Sequence, residues 1–174
     1  VALPKTAEQL RVSLAGLIVP AALRAWLRDL STALTPSYAG LEKPTPFTVN
    51  NVGQTAVVIS FAGGNAYARG DGRYLVNVPT GQITRVEAGS SQFGAQVTVE
   101  IPTTTDVEIL LFKNGVSTIY RTKIQTDNKA LVSTFVMTGI TADVVSAVFD
   151  LRIRRVAGTS NLVVQYATFY MATL

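Results

Sequence analysis

The sequence predicts a mainly β protein, an antiparallel sandwich or barrel preceded by a short α-helical segment. Two observations carry that expectation. Apolar residues recur at helical spacing up to about residue 40, and short β-rich runs separated by Gly, Asn, Asp and Pro then continue to the last residue. Strict alternation in Val97, Val99, Ile101 and again in Val107, Ile109, Leu111 marks strands with one face in a core.

The helical segment opens with a capping box. Pro4 precedes Thr6-Ala7-Glu8-Gln9, in which the Thr6 hydroxyl accepts from the Gln9 amide and the Gln9 side chain returns to the Thr6 amide. Leu10, Leu14, Leu17 and Ala21 follow a 4-3-4 spacing, the seam of a short coiled coil or bundle helix. Leu23, Leu27, Leu30 and Leu34 repeat it in a shifted phase beside Trp26, and Pro20 at the break kinks or splits the helix. Seams this short are marginal alone, so a stem over residues 1–35 has to be held by neighbouring subunits, by the β-domain or by a larger assembly. Residues 36–46, with Pro36, Gly40, Pro44 and Pro46, read as a linker into a β-head spanning 47–174.

Strands are expected over Phe47–Asn50, Ala56–Phe61, Arg73–Val78, Gln82–Glu87 and Ala95–Ile101. The second half continues with Val107–Lys113, Val116–Gln125, Leu131–Thr138, Val145–Arg154 and Leu162–Leu174. Asn114-Gly115 is the strongest hairpin signal, because a type I′ turn needs positive φ at both positions. Asp127-Asn128 and Gly158 to Asn161 read as further turns. Residues 62–72, bounded by Gly63-Gly64 and Gly72, read as an exposed loop carrying Asn65, Tyr67, Arg69, Asp71 and then Arg73. Arg69-Gly70-Asp71 is the tripeptide that integrins recognise, although turn chemistry alone accounts for it.

Composition removes many functions. With neither cysteine nor histidine, the chain lacks a disulfide framework, the usual zinc and haem ligands, and Ser-His-Asp or Cys-His nucleophilic sites. No cofactor or metal is expected. The net charge is +4, but the basic residues are scattered, and Arg152 and Arg154 alternate with apolar residues as on a solvated strand face. No nucleic-acid partner is expected from that pattern. Gly63, Gly64, Gly70 and Gly72 fit no phosphate-binding fingerprint. Glu100 and Asp106 flank a turn and are the nearest approach to a carboxylate pair, while the Asp127-Asn128 turn lacks the ligand count for calcium. The apolar run Leu14–Leu23 is half of a membrane span, and the amino terminus lacks the basic region of a secretory signal. Charged residues are 15%, against roughly 25% in soluble domains, so more surface is expected to be hidden than a monomer hides.

The order of elements in residues 95–174 resembles C1q/TNF-like jelly rolls. Asp106-Val107-Glu108-Ile109-Leu110-Leu111-Phe112-Lys113-Asn114-Gly115-Val116 is similar to their strand, Asn-Gly turn and strand unit. Val148 to Arg154 and the closing aromatic strand Val163 to Leu174 follow in the same order. The chain departs from the family by carrying Thr141-Ala142-Asp143 where a Gly-Asp pair is common, and by lacking an obvious Gly-x-Tyr element. The resemblance implies a jelly-roll sandwich and a homotrimer whose aromatic residues meet on a three-fold axis. Tyr120, Phe135, Tyr166, Phe169 and Tyr170 are the candidates to divide between core and interface, with the leucine seams as a second contact.

Similar heads occur on bacteriophage fibres and decoration proteins. The expected function is therefore a non-enzymatic virion protein, docked on other virion proteins through residues 1–35. It would bind a host-surface glycan or protein through Asn65, Tyr67, Arg69, Asp71, Arg73, Asn114, Asp127 and Asn128. A capsid-forming jelly roll would call for a basic, disordered arm, and a tailspike-type glycan-degrading domain for paired carboxylates in a groove.

Overall fold

The computed structural model describes residues 23, 25, 26, 37–69, 72–101, 106–124 and 131–174. Leu23, Ala25 and Trp26 are helical, and the seam positions Leu10, Leu14, Leu17, Leu27, Leu30 and Leu34 lie outside the described residues. From Tyr38 onward every regular element among the described residues is a β-strand. The strands are β1 (Tyr38–Lys43), β2 (Phe47–Val52), β3 (Val57–Val58), β4 (Asn65–Arg69), β5 (Tyr74–Asn77) and β6 (Gln82–Arg85). They continue with β7 (Gly89–Ile101), β8 (Val107–Lys113), β9 (Val116–Ile124), β10 (Leu131–Asp143), β11 (Ala147–Arg155) and β12 (Ser160–Thr173).

All pairings are antiparallel, in two sheets. The front sheet runs β10-β7-β12-β1-β4, with β2 end to end with β1 along one side of β12. The back sheet runs β5-β6-β11-β8-β9, with β3 end to end with β6 along β11. This is a mainly β, antiparallel jelly-roll sandwich. Phe61, Phe93, Phe135, Phe149 and Phe169 fill the space between the sheets with Leu41, Ile59, Ile83, Ile109, Leu111 and Leu151. The hairpin between β8 and β9 has φ 52° at Asn114 and 76° at Gly115, as the Asn-Gly pair demands.

Two expectations are corrected. The segment 36–46, expected as a linker, contains β1, which lies between β12 and β4 and buries Ala39 and Leu41 completely. The segment 62–72, expected as a loop, contains β4, which pairs with β1 from Asn65↔Glu42 to Arg69↔Tyr38. In both cases the strand is specified by its neighbours and not by its own composition.

The sheets are also joined by a buried polar cluster at the end of the sandwich near Ser37 and Leu174. The Ser91 hydroxyl of β7 donates to Asp143 Oδ2 of β10 at 2.7 Å, and Lys113 of β8 reaches Oδ1 at 3.4 Å. Arg85 of β6 donates to the carbonyls of Glu87 (2.8 Å) and Ser90 (2.7 Å) and to the Ser91 hydroxyl, with Asp143 Oδ2 at 3.7 Å. Tyr74 of β5 closes the cluster, its hydroxyl 2.9 Å from Ser91 Oγ. Arg85, Ser91 and Asp143 are all buried. Replacing Asp143 by Ala is expected to cost about 3–5 kcal/mol, because Arg85 is left buried without its counter-charge. Urea unfolding at neutral pH measures it, and Asp143→Asn, which keeps an acceptor for Ser91, should lose less.

Candidate interaction surface

The same alternation that fills the core arranges the outer face of the front sheet. One row across the strands reads Thr138, Gly94, Tyr170, Gly40 and Tyr67, from β10 to β4. The next rows read Val136, Gln96, Thr168, Glu42, Asn65 and, on the other side, Ile140, Gln92, Ala172, Tyr38, Arg69. Four of the six tyrosines, Tyr38, Tyr67, Tyr166 and Tyr170, stand on this face. Its β10 side is aliphatic: Val132, Val136 and Ile140 are 60%, 63% and 57% exposed. Ile119 on β9, at the adjoining edge of the back sheet, is exposed as well.

Tyr170 reaches from β12 across β7, so a Cβ at Gly94 would collide with its ring, and only glycine lets the ring lie there. Glu42 gathers the other tyrosines. The Tyr67 hydroxyl donates to Oε2 and the Tyr166 hydroxyl to Oε1 at 3.2 Å. The bond from Tyr67 is the main cause holding the Glu42 carboxyl below its ordinary value, with burial opposing and Tyr166 and Asn65 assisting. The same bond is the first cause of the raised Tyr67 pKa, whereas Tyr166 is raised first by burial and then by Glu42.

Several expected site residues are placed elsewhere. Phe135 and Phe169 point inward and are 2% and 0% exposed, so they are core side chains with nothing to offer a neighbour. Tyr120 sits at the β9–β10 edge, its ring edge-on to Phe93 at 4.7 Å and its hydroxyl donating to the Ile140 carbonyl. Asn114 is exposed but locks its own hairpin to β11, its Oδ1 accepting from the Val148 amide at 2.8 Å. Asn65, Tyr67 and Arg69 lie on an edge strand, Arg73 is ion-paired with Glu87 at 3.3 Å, and Leu23 is exposed. Asp71, Asp127 and Asn128 lie outside the described residues.

Arg69 and Asn114 flank the end of the sandwich that holds Ser37 and Leu174. There the Thr173 amide donates to the Ser37 carbonyl at 2.9 Å and the Leu174 amide to that of Ser90 at 3.2 Å. The carboxylates Glu100 and Asp106 are each taken by a partner of their own, Gln165 at 3.0 Å and Lys123 at 2.5 Å. Arg152 and Arg154, expected on a solvated face, are half-buried and paired with Asp150 (2.6 Å) and Glu108 (2.6 Å). Among the described residues no group of three or more acidic side chains could hold a metal, and no helix is long and apolar enough to cross a membrane.

The strand order and the alternating faces define an antiparallel jelly-roll sandwich. Two solved structures of murine APRIL, at pH 8.5 and pH 8.0, superpose with TM-scores of 0.54 and 0.55. Each covers 80% of this chain and 100% of its own, at 13% identity. In all, 239 solved chains match, so the fold alone selects no activity. No protein-family model and no curated protein matches the sequence.

The Glu42 cluster makes a pH signature. Its carboxylate contributes stability above the ordinary carboxylate range, and the contribution fades as pH falls through the lowered pKa. The tyrosines contribute below the ordinary phenol value of 10.0, and theirs fades as pH rises through the raised values. In Tyr67→Phe the Glu42 pKa should move back up toward 4.5, as read by carbon NMR titration of the carboxyl, because its leading stabiliser is gone.

Proposed function

We propose that this chain is a non-enzymatic display head that assembles as a homotrimer through the outer face of its front sheet. The observation that supports this most is the exposed row Val132, Val136 and Ile140 beside Tyr170, on a face where Gln92, Gln96, Thr98, Thr134, Thr138 and Thr168 supply most of the remaining surface. A continuous apolar and uncharged strip of this kind marks a contact surface. A head carrying an aliphatic edge and a tyrosine patch side by side suits a closed ring, in which one patch of each copy meets the other patch of the next. The likeness to C1q/TNF-like heads supplies the number three.

The finer reading is a virion protein, a bacteriophage fibre head or decoration protein docked on other virion proteins by residues 1–35. Its support is the helical rhythm that precedes the head and the low charge of the whole chain. Binding of a host-surface glycan or protein would then work by multiplication of weak sites, three heads raising the effective concentration of one another's ligands. The turns at 44–46 and 156–159 lie at the end of the sandwich opposite Ser37 and Leu174, the end that a head mounted by residues 1–35 would present. A second reading rests on the same side chains: Tyr170, Glu42, Gln96 and Thr168 combine an aromatic surface with hydrogen-bonding groups, as a glycan platform does.

Light scattering separates the two. The full chain is expected at three times 18.6 kDa, and Val136→Glu at one third of that. Because Val136 is 63% exposed in the protomer, the substitution should change monomer stability by no more than about 0.5 kcal/mol. A monomeric wild-type chain overturns the trimer and leaves the face open to a sugar.

A further inference from the structure

Of the seven asparagines in the chain, only Asn114 is followed by glycine. An Asn-Gly step is the least hindered route to an imide. With no side chain on the second residue, its backbone nitrogen can reach the side-chain amide of the first. Both residues are exposed at the tip of the β8–β9 hairpin, and a Cβ built on Gly115 meets nothing within 4 Å.

In the folded chain the turn holds the reacting groups apart. Asn114 is clamped to Val148 of β11 by two bonds. Its amide donates to the Val148 carbonyl at 2.8 Å, and its Oδ1 accepts from the Val148 amide at 2.8 Å. The side-chain amide thus acts as one more ladder residue, tying the hairpin to β11 beyond the Lys113↔Phe149 pair. Positive φ at both positions defines a type I′ turn, whose torsions carry the Asn114 Cβ away from the Gly115 nitrogen. A five-membered imide needs Cβ swung round to the nitrogen's side. Ring closure therefore requires both Val148 bonds to break and the hairpin tip to open.

We propose that Asn114 is a site of spontaneous deamidation gated by its clamp on Val148, and that the change releases the β8–β9 hairpin from β11. When the tip opens, the Gly115 nitrogen loses its proton and bonds to the side-chain carbonyl carbon of Asn114. The bond from that carbon to Nδ2 breaks, and Nδ2 leaves as ammonia with the proton. Water, the only co-reactant, then opens the imide at either carbonyl. Opening at the side-chain carbonyl gives aspartate, which keeps an oxygen for the Val148 amide and strengthens that bond by its charge. Opening at the backbone carbonyl gives isoaspartate, which routes the main chain through Cβ. That adds an atom to the two-residue turn that sets Lys113 against Val116, and the clamp cannot re-form. Every group involved belongs to β8, β9, β11 and the turn, so the site does not depend on the outer face of the front sheet.

The test incubates the full chain folded and, in parallel, in concentrated guanidinium chloride at the same mildly alkaline pH. Peptides are then scored by mass for conversion of amide to acid and for isoaspartate. Conversion is expected at Asn114 before any other asparagine in both samples. It should run roughly ten- to a hundredfold slower in the folded chain, as the opening of two hydrogen bonds implies. Folded chain enriched in isoaspartate should lose hydrogen-exchange protection at the Val148 amide, whereas Asn114→Asp keeps it. Equal rates in the two samples, no conversion in the folded chain after about a hundred half-lives of the unfolded one, or a Val148 amide still protected in the isoaspartate form overturn the proposal.

Discussion

Asp143 is a carboxylate removed from water, and what surrounds it decides how the two sheets meet. Its side chain is 0% exposed, and Ser91, Arg85 and Lys113 converge on its two oxygens. A buried charge costs several kcal/mol unless its partners are placed to replace its hydration. Here they come from β6 and β8 in one sheet and β7 in the other, so the charge is compensated only when both sheets are in register. Directional bonds in this cluster add to the close packing of the core and help specify one setting of the sheets. The cluster also ties down the end of β12, since Ser90, whose carbonyl accepts from Arg85, accepts from the Leu174 amide as well.

With the sheets in register, the two-residue period of β7, β10 and β12 does two jobs. Phe93, Val97, Phe135, Ala167 and Phe169 face the core, while Gln96, Val136, Thr168 and Tyr170 face out. A one-residue slip would exchange these sets. A core of this quality and an outer face of this character are therefore specified together. The register shift between Val164 and Tyr166 is part of it, because it resets the phase of β12 and leaves Tyr166 and Tyr170 outside with Phe169 inside.

That shift explains much of what was and was not legible in the sequence. Alternation at Val97 to Ile101 and Val107 to Leu111 marked strands that the structure contains, and Asn114-Gly115 marked the hairpin between β8 and β9. The closing strand is rich in apolar and aromatic residues on both faces, so periodicity alone could not assign Phe169 to the core and Tyr170 to the surface. β1 was hidden because Tyr38-Ala39-Gly40-Leu41-Glu42-Lys43 sits between prolines and alternates poorly. It is a strand because β12 and β4 flank it. β4 was hidden because glycines bound it on both sides. The Glu42–Tyr67 contact joins residues 25 apart, and the Ser91–Asp143 contact joins residues 52 apart, distances at which local pattern carries no information.

The location of β4 connects these strands of argument. An edge strand is where a sheet remains open to another chain, and natural sheets protect it with charge or cover. β4 carries Arg69 at one end, while its Tyr67 is held by Glu42 to the face. The opposite edge, β10, carries Val132, Val136 and Ile140 and no charged residue along its outward row from Val132 to Ile140. One sheet thus has a polar, arginine-bearing margin and an aliphatic margin, with tyrosines between them. The proposed self-association would draw on the aliphatic margin because water gains most from its removal. The arginine margin gains nothing from such burial, since a guanidinium desolvated without a partner is penalised.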